Sequence, residues 1–531
     1  MAPPRPALRT PPAARPLLLV LLLSACAPPG TGDALVLGWD TGDLMSLDPA
    51  TSYEITGAAL VPNLYDTLVG FDDDDLSEPR PRLAERWETR AAGDRLEVRF
   101  HLRDARFTTG RPVTAADAVF SLRRVLELNQ GPAFLLSSVL GLRVEDFEAE
   151  GPRALVVRLP PGRAARALLA VLAGPVGGIV DRAEALAHEE AGDRGSGWLR
   201  DHSAGAGRYA LRAWEMDARV VLERHDGHWA GPAPTPRVIV KHVAESENQR
   251  FRLRVGDLDV ARNLNPEQLA DLERDPSVEV HRFRTLMIYY LGLDCASPAF
   301  RDPRARRAVR HALDREGIAG RLLRGNGEAL ATLIPRGLPG AAPDLALPHD
   351  PARARALLAE AGLRPPVACT LLAGNGIAPG GVPCADLAAK VKSDLDRVGF
   401  DVRLRVVASS EMLSIYRARR AEMVLVEWVP DFPDPDGNVG PFTDESLRSV
   451  AWRLHFADAA LAAEARAAAA EPDPAARAER YRRIEAALIE RGPYATLYQG
   501  IAPLARRRDV EGLRFSPVGQ LPLERLRKLR P

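Results

Sequence analysis

Cysteine is scarce in this chain of 531 residues, occurring only at positions 26, 295, 369 and 384. That excludes a small scaffold stapled by many disulfides, and the spacings fit none of the paired patterns of structural zinc sites. Net charge is also missing: 71 basic residues offset 71 acidic ones. No basic stripe is present, so nucleic acid is not an expected partner. Long apolar runs are missing too. Leu17–Leu23, which no other run exceeds, falls well short of the roughly 20 residues that span a bilayer. Gly-x-Ser-x-Gly, His-Glu-x-x-His and Gly-x-x-x-x-Gly-Lys motifs are absent, which removes the usual sequence marks of a serine hydrolase, a zinc protease and a phosphate-binding loop. The only close histidine pair, His225 and His228, lies in a polar turn beside Trp229 and asks for no metal. No enzyme activity, cofactor or resident metal is expected.

Apolar residues make up 46% of the chain, enough for a large core, and the length allows two to four domains. Arg5, Arg9 and Arg15 precede the apolar run, and Leu23-Ser24-Ala25-Cys26 follows it. A positive start, a short apolar stretch and small residues before a cysteine form a secretory signal of the lipoprotein kind. Cleavage before Cys26 would leave its sulfur to carry a diacylglycerol. Two or three acyl chains anchor firmly where one binds only marginally. The mature chain is therefore expected outside the cytoplasm, in the periplasm or its equivalent, lipid-anchored to a membrane without spanning it. Residues 26–33 would form the tether. Of the remaining cysteines, Cys369 and Cys384 are the candidate disulfide because they are local.

Periodicity indicates alternating strands and helices, an α/β architecture. Strands are read at 34–39, 96–102, 154–159, 237–243, 289–293, 368–372, 402–407 and 423–426, and a hairpin at 208–222. Helices are read at 58–65, 115–128, 163–172, 302–313, 351–361, 385–398, 457–470 and 474–490. Thr114 is an N-cap with Asp117 three residues on, Pro303 sits in a first helical turn, and Gly362 and Gly399 follow helix ends. The arginines at 304–310 are read as a solvated helix face.

Several segments, in order, resemble the peptide/nickel-binding family of extracellular solute-binding proteins that serve ABC importers. They are Leu47-Asp48-Pro49, Asn63 through Val69, Leu83-Ala84-Glu85-Arg86-Trp87, and Phe107 through Asp117. Gly205-Ala206-Gly207-Arg208-Tyr209, Arg304 through Arg315, Asp350 through Gly362, and Trp428-Val429-Pro430-Asp431-Phe432-Pro433-Asp434-Pro435 complete the set. The resemblance implies a two-lobed periplasmic-binding-protein fold of type II, in the three-domain cluster C variant, closing about a hinge. It divides the chain into a signal (1–25), the tether, lobe I (34–70, 199–287 and 496–531), an extra domain (71–198) and lobe II (288–495). A monomer is expected, with a permease and ATPase subunits as partners.

The same resemblance assigns Asp431 to the ammonium group of a peptide ligand, since a buried ammonium needs a carboxylate. Trp428 would wall the pocket or pack in the lobe. The backbone of Glu427 and Val429 would pair with the ligand as an added strand. Met412 stands near a position the family fills with Trp, and Tyr53 lies where relatives line the cleft. Asp434 is read as structural. Of Tyr289 and Tyr290, at most one can face a ligand, because neighbours on a strand point oppositely. One departure bears on cargo: the segment from Ala373 to Cys384 has no basic residue, where dipeptide carriers present an arginine to the ligand carboxylate. An oligopeptide is thus favoured over a dipeptide. The alternatives are a nickel chelate, an opine or an oligosaccharide on the same fold, a secreted hydrolase, or a scaffold lipoprotein.

Overall fold

The computed structural model describes residues 34–72 and 75–529. The signal, Cys26 and the tether lie outside the described residues. Local signals act as the sequence suggests. The Thr114 side chain accepts from the Asp117 N–H, Asp117 bonds back to the Thr114 N–H, and the helix Ala115–Leu128 begins there.

A mixed sheet of eleven strands runs through the molecule. Its order is Phe400–Val407, Val367–Gly374, Met423–Trp428, Val278–Leu293, Tyr494–Arg507, Val260–Ala261, Ala34–Trp39, Arg237–His242, Arg219–Arg224 and Tyr209–Glu215. The short Gly327–Ala329 joins Tyr494–Arg507 from the side. The two long strands, Val278–Leu293 and Tyr494–Arg507, are antiparallel partners that cross from one lobe to the other. Their register shifts between Arg284 and Ile288. At that break the Thr285 hydroxyl donates to Gly500 O (2.9 Å) and Gln499 Nε2 donates to Thr285 O (2.7 Å). A bulge of this kind bends a strand and interrupts its ladder, which makes this pair the hinge.

The remaining strands segregate by lobe. In lobe I, Ala34–Trp39 runs parallel to Arg237–His242 and Val260–Ala261. In lobe II, Val367–Gly374 runs parallel to Phe400–Val407 and Met423–Trp428. Alternating side chains of the lobe II strands enter two cores, one on each face of the sheet. Leu291, Leu371 and Leu425 pack under the helices Pro303–Ala312, Pro351–Glu360 and Cys384–Asp396. Tyr290, Leu372 and Val424 pack under Ser409–Arg417, Ala459–Ala470 and Pro474–Arg491. A separate four-stranded antiparallel sheet, Ala84–Ala92, Arg95–Leu102, Ala154–Leu159 and Phe147–Ala149, carries its own core with Ala115–Leu128 and Ala165–Leu172. Asp48 ties lobe I to it: Arg124 donates to both carboxylate oxygens (2.7 and 2.6 Å), with both residues almost fully buried.

Two expectations are overturned. Arg306 and Arg310 do not belong to a solvated face; they are 5% and 2% exposed. Arg310 donates to Leu488 O (2.9 Å), Gly492 O (2.6 Å) and Tyr494 O (2.8 Å), and Arg306 to Phe300 O (2.7 Å) and Arg491 O. Carbonyls at a helix end lack donors further along the helix; Arg306 caps Arg491 O at the end of Pro474–Arg491, and Arg310 adds to the Gly492 N–H on Leu488 O and takes the carbonyls just beyond. Arg304 and Arg307 keep the outer face, paired with Asp302 and Glu490. The second correction concerns Cys369 and Cys384, which are both free thiols. The Cys384 N–H bonds to Gly376 O (2.9 Å), beyond the far end of the strand carrying Cys369. The strand residues between Cys369 and Gly374 span roughly 16 Å, well past the ~7 Å limit for bridged Cα atoms.

Candidate functional site

Ligands of open α/β sheets gather outside the carboxyl ends of parallel strands. In lobe I those ends are Trp39 and Ala261; in lobe II they are Gly374, Val407 and Trp428. The loop after Trp428 carries Asp431 into the space between the lobes. Its side chain is solvent-accessible, and the Tyr53 hydroxyl donates to its Oδ1. Tyr53 comes from lobe I, 378 residues earlier, so this hydrogen bond joins the lobes. Tyr53 is 52% exposed and sets its ring edge-on to Phe134, 5.7 Å between centroids.

The electrostatics single out the same wall. Enclosure by the surrounding protein pushes the Asp431 carboxyl above the ordinary aspartate range, and the hydrogen bond from Tyr53 opposes the shift. Glu427 is raised by the same enclosure. Among the described residues, neither carboxylate has an ion-pair partner. Asp434, three residues on, is the opposite case. It is fully buried, takes two bonds from Arg477 (2.6 and 3.0 Å), and lies 3.5 Å from Arg166 Nε.

Strand alternation sorts the other candidates. Glu427 pairs in register with Tyr289 and is exposed, and Val429 is 43% exposed. Trp428 turns to the opposite face, where its indole N–H donates to Gly437 O (3.1 Å) and its ring meets Phe442 edge-on at 5.2 Å. Met412 is 7% exposed in the same apolar cluster. The structure thus brings Tyr53 and Asp431 into contact and leaves Glu427 and Val429 accessible on lobe II. It sets Met412 and Trp428 into the core of that lobe. Tyr289 and Tyr290 do point oppositely: Tyr289 stacks on Tyr498 and bonds Cys384 Sγ (3.2 Å), while the Tyr290 hydroxyl meets that of Tyr416 (3.2 Å). His228 and Trp229 both bond Asp66 (3.0 and 2.6 Å), and His225 bonds Gly207 O (3.1 Å), so the histidine turn is a local clamp.

The segment 373–384 forms a small hairpin, Ile377–Ala378 against Val382–Pro383. Its tip, Gly380-Gly381, reaches lobe I. Gly381 has φ +85°, and a Cβ there would lie 3.1 Å from Pro266. Only glycine fits both the turn and this approach.

This arrangement of two lobes, crossing strands and extra sheet is shared with solved proteins. HbpA2 from Haemophilus parasuis superposes with a TM-score of 0.81, covering 93% of this chain and 99% of that one at 21% identity. A dipeptide binding protein from Pseudoalteromonas sp. SM9913, in complex with Met-Leu, gives 0.76 over 93% and 100% at 21% identity. In sequence, residues 78–448 match the family described as bacterial extracellular solute-binding proteins, family 5 Middle. The chain belongs to that family. Among its curated relatives is the "Probable D,D-dipeptide-binding periplasmic protein DdpA" of Escherichia coli K12, 28% identical over 95% of this chain and 96% of that protein. No described helix is long and apolar enough to cross a membrane.

Proposed function

We propose that this family 5 protein captures an oligopeptide outside the cytoplasm and hands it to an ABC permease driven by separate ATPase subunits, without chemistry of its own. One observation carries the reading: Asp431 is an accessible, enclosed carboxylate whose polar partner is a tyrosine hydroxyl from the facing lobe. A peptide ammonium is the group that pairs such a carboxylate, and a charge-assisted bond is stronger than the neutral-donor bond it would replace. Glu427 and Val429 expose the end of a strand along which an extended backbone would lie. Binding would shift an open–closed equilibrium at the hinge. The chain is read as lobe I (34–70, 199–287, 496–531), an extra domain (71–198) and lobe II (288–495). Cys26 would hold the mature protein to the membrane by lipid, with residues 26–33 as its tether.

The test is mass spectrometry of small molecules released by denaturing the mature protein purified from its own source. Peptides with free amino termini are expected. Release of only amine-free solutes, such as oligosaccharides, would overturn the peptide reading. Replacement of Cys26 by serine should free the protein from the membrane fraction; retention there would refute the lipid anchor.

A further inference from the structure

A peptide has a carboxylate as well as an ammonium, and the hairpin at 373–384 offers no cation for it. Lobe I does. Arg262 follows the strand Val260–Ala261 at its carboxyl end, beside the end of Ala34–Trp39. Its guanidinium carbon sits 4.3 Å from the Trp39 ring centroid and 5.0 Å from that of Phe515. Phe515 in turn packs against Phe283 (6.4 Å), just before the register break of the hinge. Arg262 is therefore at the hinge end of the cleft, held between two rings that are themselves buried.

What distinguishes it is an absence of partners. Arg262 Nη1 is buried without an acceptor, and among the described residues no carboxylate lies within ion-pair distance of the side chain. Its surroundings are desolvated enough to bring its pKa down to about 10, with Asp43 the one acid that counters this. Other buried arginines spend their donors within the protein: Arg310, whose Nη1 also lacks an acceptor, bonds three carbonyls, Arg477 bonds Asp434 and Arg124 bonds Asp48, whereas the Arg262 guanidinium makes no hydrogen bond among the described residues. Contact with aromatic faces steadies a guanidinium but leaves its N–H groups, which lie in the guanidinium plane, still to be satisfied. A cation pre-positioned by two aromatic faces, half-buried and short of acceptors, suits a planar anion that accepts two bonds at once.

We propose that Arg262 receives the carboxylate of the bound solute, at the lobe I side of the cleft, in place of the basic residue missing from 373–384. The inference rests on the peptide reading above. It adds a direction to the cargo: amino end toward Asp431, carboxyl end toward Trp39 and Phe515. It also makes cargo selection depend on both lobes, since one charged end would be read by each.

The experiment uses the mature protein, unfolded and refolded to remove cargo, and two probe pools: mixed tri- to pentapeptides with free carboxyl ends, and the same peptides as C-terminal amides. Retained peptides are counted by mass spectrometry. Wild type should prefer the free acids by roughly 10- to 100-fold, as for a hydrogen bond to a charged group. Arg262→Gln should abolish that preference while still retaining free-amine peptides, and Arg262→Lys should restore part of it. Circular dichroism of each variant excludes misfolding as the cause. Equal retention of the two pools by wild type, or an undiminished preference in Arg262→Gln, would overturn the assignment and leave the peptide reading standing. Retention of neither pool would overturn both.

Discussion

The interior of lobe II and the wall of the cleft use the same ionisable side chains in opposite ways. Inside lobe II, Asp434 has two bonds from Arg477 and a second arginine close by, and Arg310 gives its N–H groups to three carbonyls. At the cleft, Asp431 has one tyrosine hydroxyl, and Arg262 has two aromatic faces and an Nη1 without an acceptor. Burial alone does not separate these sets, because charges in both are desolvated. Hydrogen-bonded partners do: Arg310 keeps three carbonyls although its Nη1 lacks an acceptor, while the Arg262 guanidinium makes no hydrogen bond among the described residues. A charge paired inside the protein, as Asp434 is with Arg477 of its own lobe and Arg166 of the extra domain, holds the fold together. A charge left short at a cleft has affinity in reserve for something that arrives there.

Breaking the interior set should have the largest effect, and on stability. Asp434→Ala leaves Arg477 buried without its carboxylate, and is predicted to cost about 3–5 kcal/mol of unfolding free energy. Urea denaturation checks this; a cost below ~1 kcal/mol would erase the contrast between the two regions. Asp431→Ala comes next and should act on binding. It is predicted to weaken a free-amine peptide by ~2–5 kcal/mol while leaving the urea midpoint nearly unchanged. Titration calorimetry with a cargo peptide identified by mass spectrometry is the measurement, and unchanged affinity would remove Asp431 from the site.

Much of this was legible in the sequence because the signals are local. Thr114 with Asp117 set the start of a helix, and Trp428 to Asp434 carried a motif specific enough to name both carboxylates. Other features depend on tertiary context. The strand Tyr494–Arg507 escapes pattern reading because its first eight residues are all buried, which erases alternation, and because it contains Gly500 and Pro503. The strand Ala84–Ala92 escapes for the opposite reason: it lies at a sheet edge, mostly exposed, with a charged sequence. Arg306 and Arg310 look like a solvated face until the end of a helix some 180 residues away supplies the carbonyls they cap. No local spacing announces Arg262 either, since Trp39 and Phe515 lie far from it in sequence.

Glu485 tests how an interior carboxylate behaves with neutral partners only. It is fully buried, accepts from the Leu333 and Ile334 N–H groups (3.0 and 2.6 Å), and its pKa is pushed up to about 7 by burial. The native state therefore holds a proton that the unfolded state, titrating near the ordinary value of 4.5, has released. Its contribution to stability is complete below pH ~4.5 and is lost as pH rises to about 7, with a span of order 3 kcal/mol. Urea midpoints taken across that window should fall with pH in wild type. Glu485→Gln should flatten this component of the slope, and an unaltered slope would contradict the assignment.

The smallest effect belongs to the hydrogen bond that joins the two regions. Tyr53→Phe removes the donor to Asp431 but keeps the ring against Phe134. A net hydrogen bond between a hydroxyl and a carboxylate contributes about 1–2 kcal/mol. Losing it should shift the ligand-free equilibrium toward the open form roughly 5- to 30-fold, with little change in the unfolding midpoint of either lobe. Small-angle scattering of the cargo-free protein would register this as an increase in radius of gyration. Saturating peptide should reverse the increase, because its ammonium takes over the bridge that Tyr53 had supplied. If the variant stays as closed as wild type without ligand, the bridge is incidental. Closure would then be governed at the opposite edge, where Gly381 meets Pro266.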